Sequence, residues 1–105
     1  MVHYIALYKL MPHTTEEIIE RMIRESRSCF HRVSEAHNFR SGRNIEPDNP
    51  YSFFLSADFE NMEKFNMFRD DPGFIKFESK VVRRNTNECR EYLYETEPGK
   101  DTRYS

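Results

Sequence analysis

The side chains that could carry out chemistry are few in this sequence, and His3 is the best placed of them. An imidazole titrates near neutral pH, so His3 could serve as a general base. Tyr51, Lys9 and Asp71 are candidate partners in a titratable pair, although the sequence fixes no distance between them and His3. Because no second titrating group is placed beside it, a His3 that is hydrogen-bonded at a strand end for structural reasons is the alternative interpretation.

The other histidines and the two cysteines lack the spacing of a metal site. His13, His31 and His37 have no i,i+4 partner and no adjacent carboxylate that would suggest a metal triad. Cys29 and Cys89 belong to no CxxC motif. We therefore expect surface histidines, reduced and partly buried thiols, no metal site and no disulfide.

Size and charge restrict the class of protein. A chain of 105 residues with 37% hydrophobic and 32% charged positions is typical of one globular domain. The net charge of −2 disfavours nucleic acid as a partner. A short basic run at Lys80, Arg83 and Arg84 is interpreted as a solvated helix end. Neither a signal peptide nor a membrane span is evident, so we expect a cytoplasmic protein that does not enter membranes.

The first element that must position these residues is a strand from Val2 to Leu10 whose two faces are both largely apolar. One face carries His3, Ile5, Leu7 and Lys9, and the other carries Tyr4, Ala6, Tyr8 and Leu10. We assign the His3 face to the side covered by helices. This assignment places His3 at the edge of a pocket between sheet and helices.

The rest of the chain alternates between helical and strand patterns. Thr14 and Glu17 have capping-box spacing before a helix that carries apolar residues from Ile18 to Val33. A weaker strand spans residues 39–45, a turn follows at 47–50, and a third strand spans 51–59. A second helix is capped by Asn61 and restarts at Asp71 and Pro72, and a last strand spans 88–95.

This β-α-β-β-α-β order predicts an α+β domain of ferredoxin-like topology over residues 1–97, followed by a polar tail at 98–105. Its four-stranded antiparallel sheet carries both helices on one face, and the other face is left bare. An aromatic patch is rarely left in water on a small monomer. We therefore predict a two-fold homodimer whose interface is formed by Tyr4, Ala6, Tyr8 and Phe54.

A set of apolar residues on the helix-facing side is predicted to surround a site for a small apolar or aromatic molecule. Together with Tyr51, the set comprises Ile5, Leu7, Met22, Ile23, Phe30, Phe53, Leu55, Phe68, Phe74 and Phe77. These side chains could line a cavity or could fill it, since an aromatic stripe at helical spacing is usually core.

Four short motifs together resemble the stress-responsive dimeric α/β-barrel (Dabb) family. They are the opening strand with His3 and Lys9, the segment 42–45, the strand 51–59 and the helix break 71–74, and the resemblance covers about residues 2–97. The resemblance implies two sheets packed face to face in a dimeric barrel, a pocket in each subunit between sheet and helices, and no cofactor or metal.

One member of that family, the plant polyketide cyclase olivetolic acid cyclase, uses a tyrosine and a histidine on its second helix. Phe68 and Phe74 occupy the matching positions here, and Phe53 replaces a further pocket histidine. Only the first-strand histidine is retained, as His3. Because a phenyl ring cannot transfer a proton, the resemblance implies no cyclase of this type.

Two classes of function remain open. One is a cofactor-free enzyme that acts on a small apolar molecule, and the other is a non-catalytic, stress-related dimeric binding protein. Monooxygenases that share the dimeric barrel are a further alternative, which rests on analogy of fold alone. A titratable pair in an open pocket would favour an enzyme.

Overall fold

Alternating side chains and well-capped helices build four strands and a layer of helices in the computed structural model, which describes residues 1–96. The predicted tail, 98–105, lies outside the described residues. The strands are β1 (Val2–Leu10), β2 (His37–Arg43), β3 (Tyr51–Phe59) and β4 (Thr86–Glu95). The helices are α1 (Glu16–His31), α2 (Met62–Arg69) and α3 (Pro72–Phe77), after which come a π-helical segment (Glu78–Val82) and a last turn (Arg83–Asn85).

The strands form one antiparallel sheet in the order β2-β3-β1-β4. Together with the β-α-β-β-α-β order, this arrangement confirms the predicted ferredoxin-like topology. No helix in the described part of the chain is both long enough and apolar enough to cross a membrane.

Helix α1 begins one residue later than its capping box predicts. The Thr15 hydroxyl oxygen accepts a hydrogen bond from the Ile18 amide at 3.3 Å, so Thr15 and not Thr14 is the N-cap. The Thr14 hydroxyl instead donates to the Asn85 carbonyl oxygen at 3.1 Å. A tertiary contact therefore decides which of two adjacent threonines caps the helix.

The break between α2 and α3 agrees with its prediction. Asn61 accepts a hydrogen bond from the Lys64 amide, and Asp71 accepts one from the Phe74 amide, each at 2.9 Å. Pro72 occupies the first position of α3, where its missing N–H costs nothing. The π-helical segment that follows has no sequence signal that we could identify. Strand β2 is displaced from its predicted range, and Ile45 lies beyond it and is exposed.

Aromatic rings fill most of the space between the sheet and the helices. Phe68 of α2 lies at the centre of this core, with its ring centroid 4.3 Å from that of Phe74 and 5.1 Å from that of Phe59. Phe30 of α1 stacks on Phe39 of β2 at 3.9 Å. The rings thus join α1, α2 and α3 to one another and to strands β2 and β3.

The two faces of β1 are reversed relative to the prediction. Tyr4, Ala6 and Tyr8 are buried beneath the helices, and the Tyr4 ring lies 5.2 Å from that of Phe65 on α2. The predicted dimer contacts through Tyr4, Ala6 and Tyr8 are therefore wrong.

Strand register is the reason for this reversal. Ala6 lies opposite Leu55 and Tyr8 lies opposite Phe53, and directly opposite residues share a face of the sheet. Ile5 and Leu7 consequently lie on the other face, and so does His3. Because both faces of β1 are apolar, alternation alone could not show which face the helices cover.

Candidate functional site

The middle of the space between sheet and helices contains most of the predicted pocket residues, and they pack against one another. Met22, Phe30, Phe53, Leu55, Phe68, Phe74 and Phe77 are buried, and Ile23 is partly buried against them. The Phe30 ring lies 5.0 Å from that of Phe68 and 5.9 Å from that of Phe74. These side chains fill the space that they were predicted either to line or to fill.

Four other predicted site residues lie outside this space. His3, Ile5 and Leu7 are on the opposite face of the sheet. An irregularity in the pairing of β1 and β3 also brings Tyr51 to that face, where its hydroxyl donates to Glu88 of β4. Placing these four residues in a helix-side pocket was therefore wrong.

A hollow of about 450 Å³ opens on the helix side at the end of the sheet. It lies where β1 begins, β4 ends and α2 starts, and it is lined by Met1, Val2, Glu60, Asn61, Met62, Leu93, Tyr94 and Glu95. Met62 and Leu93 are 46% and 44% exposed, which is high for large apolar side chains. We call this site the end hollow.

The lining of the end hollow was not predicted from the sequence. Its apolar members come from three separate elements, and no local pattern links them. The one available signal was Leu93, whose side chain alternates with those of Tyr92 and Tyr94. Leu93 lies opposite Tyr4, which identifies its face as the helix side.

A polar network lies next to this hollow, on the same side of the sheet. The Tyr4 hydroxyl donates to Glu91 at 2.8 Å, and Arg69 of α2 donates to the same carboxylate oxygen at 2.7 Å. Burial, together with the nearby Tyr8 and Glu91, raises the pKa of Tyr4 far above its usual value. Tyr4 therefore stays protonated at neutral pH and acts as a hydrogen-bond donor.

Tyr8 is a second buried phenol on this face. It is 1% exposed, and its hydroxyl has no hydrogen-bond partner among the described residues. Burial is the main cause that raises its pKa, with Cys89, Glu78 and Glu91 adding to the effect. Burial likewise raises the pKa of Cys89 to about 11, so this thiol is a poor nucleophile at neutral pH.

His3 belongs to a polar cluster on the face of the sheet away from the helices. Its Nδ1 lies 2.7 Å from Oδ1 of Asp58, and the Asn38 amide donates to the other oxygen of Asp58 at 3.1 Å. The structure thus supplies the titrating neighbour that the sequence did not show. A carboxylate on one ring nitrogen orients an imidazole, and this arrangement suits either a structural role or base chemistry.

We call this whole side of the sheet, away from the helices, the uncovered face. Beyond the polar cluster it carries the apolar side chains of Ile5, Leu7 and Phe54. Paired residues form rows across it: Asp58, His3 and Tyr94; Ser56, Ile5 and Tyr92; Phe54, Leu7 and Arg90. Phe54 is on this face, as predicted. Its ring lies over Gly42, where a Cβ would come within 3.2 Å of the ring. Glycine at this position leaves room for the phenyl ring close to the β2 backbone.

The predicted surface positions of three histidines are confirmed, since His13, His31 and His37 are exposed. Cys29 and Cys89 are free thiols, the first buried and the second partly buried. Within residues 1–96, no group of three or more His, Cys, Asp or Glu side chains is arranged to hold a metal ion.

Solved structures of other proteins share the fold of this chain. No curated protein matches the sequence. A Dabb family protein with a ferredoxin-like fold from Mesorhizobium loti superposes with a TM-score of 0.79 at 16% identity, over 90% of this chain and 95% of that one. A dimeric ferredoxin-like protein of unknown function from Thermobifida fusca gives a TM-score of 0.82 at 18% identity, over 90% of each chain. A hydroxynitrile lyase from Passiflora edulis gives a TM-score of 0.79 at 13% identity, over 95% of this chain and 96% of that one.

At these identities the solved structures show the fold alone. The family model of the stress responsive A/B barrel domain, Dabb, matches residues 2–92, which is most of the chain. The order of the elements, the sheet topology and this match agree with the resemblance of the opening strand and the helix break. This chain belongs to the stress-responsive A/B barrel (Dabb) domain family.

Proposed function

We propose that this protein is a homodimer that binds a small, uncharged apolar molecule in the end hollow of each subunit. The observation that carries the proposal is the end hollow itself. Its volume of about 450 Å³ is within the range of small-molecule sites, and Val2, Met62 and Leu93 supply apolar lining. The ligand would therefore lie on the helix side of the sheet, close to Tyr4 and not among the phenyl rings of the core.

The charges around the end hollow indicate which molecules it favours. Glu60 and Glu95 line it, and Glu91 lies beside it in the Tyr4 network. Carboxylates at the edge of an apolar site repel anions. A neutral molecule with an aromatic or aliphatic body suits this lining best.

The groups near the end hollow favour binding over catalysis. Tyr4 stays protonated at neutral pH, and Glu91 already accepts hydrogen bonds from Tyr4 and Arg69. Neither group is free to remove a proton from a bound molecule. We therefore propose the non-catalytic of the two functions that the sequence left open.

Acid–base chemistry at His3 is a second candidate, favoured by its contact with Asp58 at 2.7 Å. Such chemistry would take place on the uncovered face, away from the end hollow. His3→Gln separates the two proposals, because it removes the base and leaves the end hollow intact. If His3→Gln lowers binding in the end hollow as much as a change to its lining does, the two sites are not independent.

Self-association through the uncovered face is supported by the position of its apolar side chains. Ile5, Leu7 and Phe54 lie side by side at its centre, and Tyr92 continues the patch onto β4. A two-fold contact would bring this patch onto its own copy. The likeness to a dimeric protein from Thermobifida fusca supports the same assembly.

We also propose the cytoplasm as the compartment of this protein. Cys29 and Cys89 are free thiols and belong to different elements, α1 and β4. Free thiols persist in a reducing compartment.

The neutral fluorophore N-phenyl-1-naphthylamine tests binding in the end hollow. We expect its fluorescence to rise on binding to the wild type, and we expect Leu93→Asp to weaken binding about tenfold, because a carboxylate replaces apolar lining. Ile75→Asp is the matched control, since Ile75 is 51% exposed on the outer side of α3 and does not line the end hollow. Equal binding by the wild type and Leu93→Asp would contradict the proposal.

A further inference from the structure

A second concave surface lies on the outer side of the helical layer. The charged side chains in its lining are mainly basic, whereas those in the lining of the end hollow are acidic. The surface is a groove of about 540 Å³ between α1 and the segment that runs from α3 into the π-helical turn. Its lining consists of Arg21, Glu25, Ser28, Cys29, Arg32, Pro72, Gly73, Lys76, Phe77, Lys80 and Val81. We call it the helix groove.

The helix groove combines apolar side chains with basic ones. Cys29 and Phe77 are buried and Val81 is partly buried, so these three residues form its inner surface. Arg21 lies on α1 and Arg32 is the C-cap residue directly after it, and Lys76 and Lys80 come from the opposite segment; all four are exposed. An apolar inner surface between two basic walls suits a molecule that has both an apolar body and a negative charge.

Positive charge is concentrated here although the whole chain has a net charge of −2. An adjoining hollow of about 320 Å³ shares Arg21, Lys80 and Val81 with the helix groove and adds His13 and Arg84. Among the described residues, Glu25 is the one acidic residue that lines the helix groove or the adjoining hollow, and it pairs with Arg21 at 3.0 Å.

The other Lys and Arg side chains that line the helix groove and the adjoining hollow have no acidic partner within residues 1–96. Arg32, Lys76, Lys80 and Arg84 form no ion pair with a described residue. Like charges side by side repel one another, and an anion between them relieves the repulsion. From the sequence, Lys80, Arg83 and Arg84 together were interpreted as a solvated helix end. In the structure Arg83 lies 3.5 Å from Glu78. Lys80 lines both the helix groove and the adjoining hollow, and Arg84 lines the adjoining hollow.

We propose that the helix groove binds a small organic anion, a carboxylate, sulfonate or phosphate monoester with an aromatic or aliphatic body. The volume of the groove is within the range of small-molecule sites. The anionic group would lie between Lys76, Lys80 and Arg32, and the body would contact Phe77 and Val81. This site is independent of the end hollow, which is lined by acidic residues and favours neutral molecules.

The test uses 8-anilinonaphthalene-1-sulfonate, which has the aromatic body of N-phenyl-1-naphthylamine plus an anionic group. We expect micromolar binding by the wild type, weakened by added sodium chloride because the contacts are exposed. Lys80→Glu reverses the charge shared by the two adjoining hollows and is expected to weaken binding about tenfold. Arg24→Glu is the matched control, because Arg24 is an exposed residue of α1 outside both linings and should bind within twofold of the wild type.

Amide chemical shifts then locate the probe. Shifts at Ser28, Gly73 and Lys76 would support the helix groove, and shifts confined to the uncovered face would overturn the proposal. Failure of the wild type to bind the anion, or equal weakening by Lys80→Glu and Arg24→Glu, would also overturn it. Displacement of the probe by inorganic phosphate alone, at the same concentration as an aromatic phosphate, would show that the apolar inner surface contributes nothing and would contradict the proposed ligand class.

Discussion

Asp58 links three strands on the uncovered face through its two carboxylate oxygens. One oxygen contacts His3 of β1, and the other accepts a hydrogen bond from Asn38 of β2. Asn38 has a φ of 52°, a left-handed conformation that asparagine tolerates better than most residues. The strained backbone at Asn38 therefore accompanies a side-chain contact that holds β2 to the middle of the sheet.

Acid should weaken the fold through Asp58. Partial burial acts to raise its pKa, but the hydrogen bonds from His3 and Asn38 and the nearby His37 outweigh it, so the pKa lies below its usual value. A lowered pKa contributes stability above the ordinary value near 4, and that stability is lost as the pH falls through the lowered value. Asp58→Asn should cost about 1 kcal/mol at neutral pH and flatten the decline in unfolding free energy between about pH 5 and pH 2.

Urea unfolding over that pH range checks this prediction, with Asp48→Asn as the control in an exposed loop. The same acid-dependent slope in wild type and Asp58→Asn would show that the contacts of Asp58 do not contribute to stability.

Phe68 and Phe74 lead us to predict that the protein lacks polyketide cyclase activity. The sequence resemblance matches them to the proton-transferring residues of olivetolic acid cyclase, and their ring centroids lie 4.3 Å apart in the core. A phenyl ring cannot exchange a proton, and here both rings are buried in the core. We expect purified protein not to cyclise a linear tetraketide above the rate without protein. Clear formation of the cyclised acid would contradict the residue matching.

At the scale of elements, the interruption between α2 and α3 shapes the core. Helix α2 ends at Arg69 with Asp70 as its C-cap, Asp71 then caps α3, and after this break Phe74 packs on Phe68 and Phe30. The chain thus covers the sheet with two short helices where one straight helix would follow a single line.

Removing that cap should destabilise the domain. Asp71→Ala leaves the Phe74 amide without its acceptor and is expected to lower the unfolding free energy by about 1 kcal/mol. Asp71→Asn should retain most of the stability that the cap contributes, since asparagine caps helices well. Asp70→Ala is the control, because the Asp70 side chain forms no hydrogen bond with any residue of the described range 1–96. Chemical denaturation measures all three variants, and equal losses for Asp70→Ala and Asp71→Ala would refute the capping role.

At the scale of the whole molecule, the reversal of β1 changes which residues can join two copies. Tyr8→Asp would place a carboxylate in the core and would test folding only. Leu7 and Phe54 lie next to each other on the uncovered face and are partly buried in a single chain. Changes at these two positions therefore separate assembly from folding.

We expect the wild type to have about twice the 12.7 kDa mass of one chain in light scattering. Leu7→Asp with Phe54→Asp should give a folded monomer, because two carboxylates would be forced into a dry interface. Met67→Asp with Ile75→Asp is the matched control, since both residues are exposed on the helices, and it should remain a dimer. A wild type that is monomeric at micromolar concentration would refute self-association through this face.

The sequence by itself determined the elements, their order and the family, because capping residues, turn residues and alternation are local signals. Asn61, Asp71 and Pro72 marked the helix break, and the strand 51–59 was assigned to its true range and faces. These features depend on residues close in the chain, so a single sequence carries them.

Only the tertiary structure decided which face of β1 meets the helices, which side chains fill the core and where the hollows lie. Both faces of β1 are apolar, and only its register with β3 pairs Tyr8 with Phe53 and places His3 beside Asp58. The end hollow and the helix groove each draw their lining from elements far apart in the chain. Such sites have no local pattern, because the distances that create them exist only after the strands pair and the helices pack.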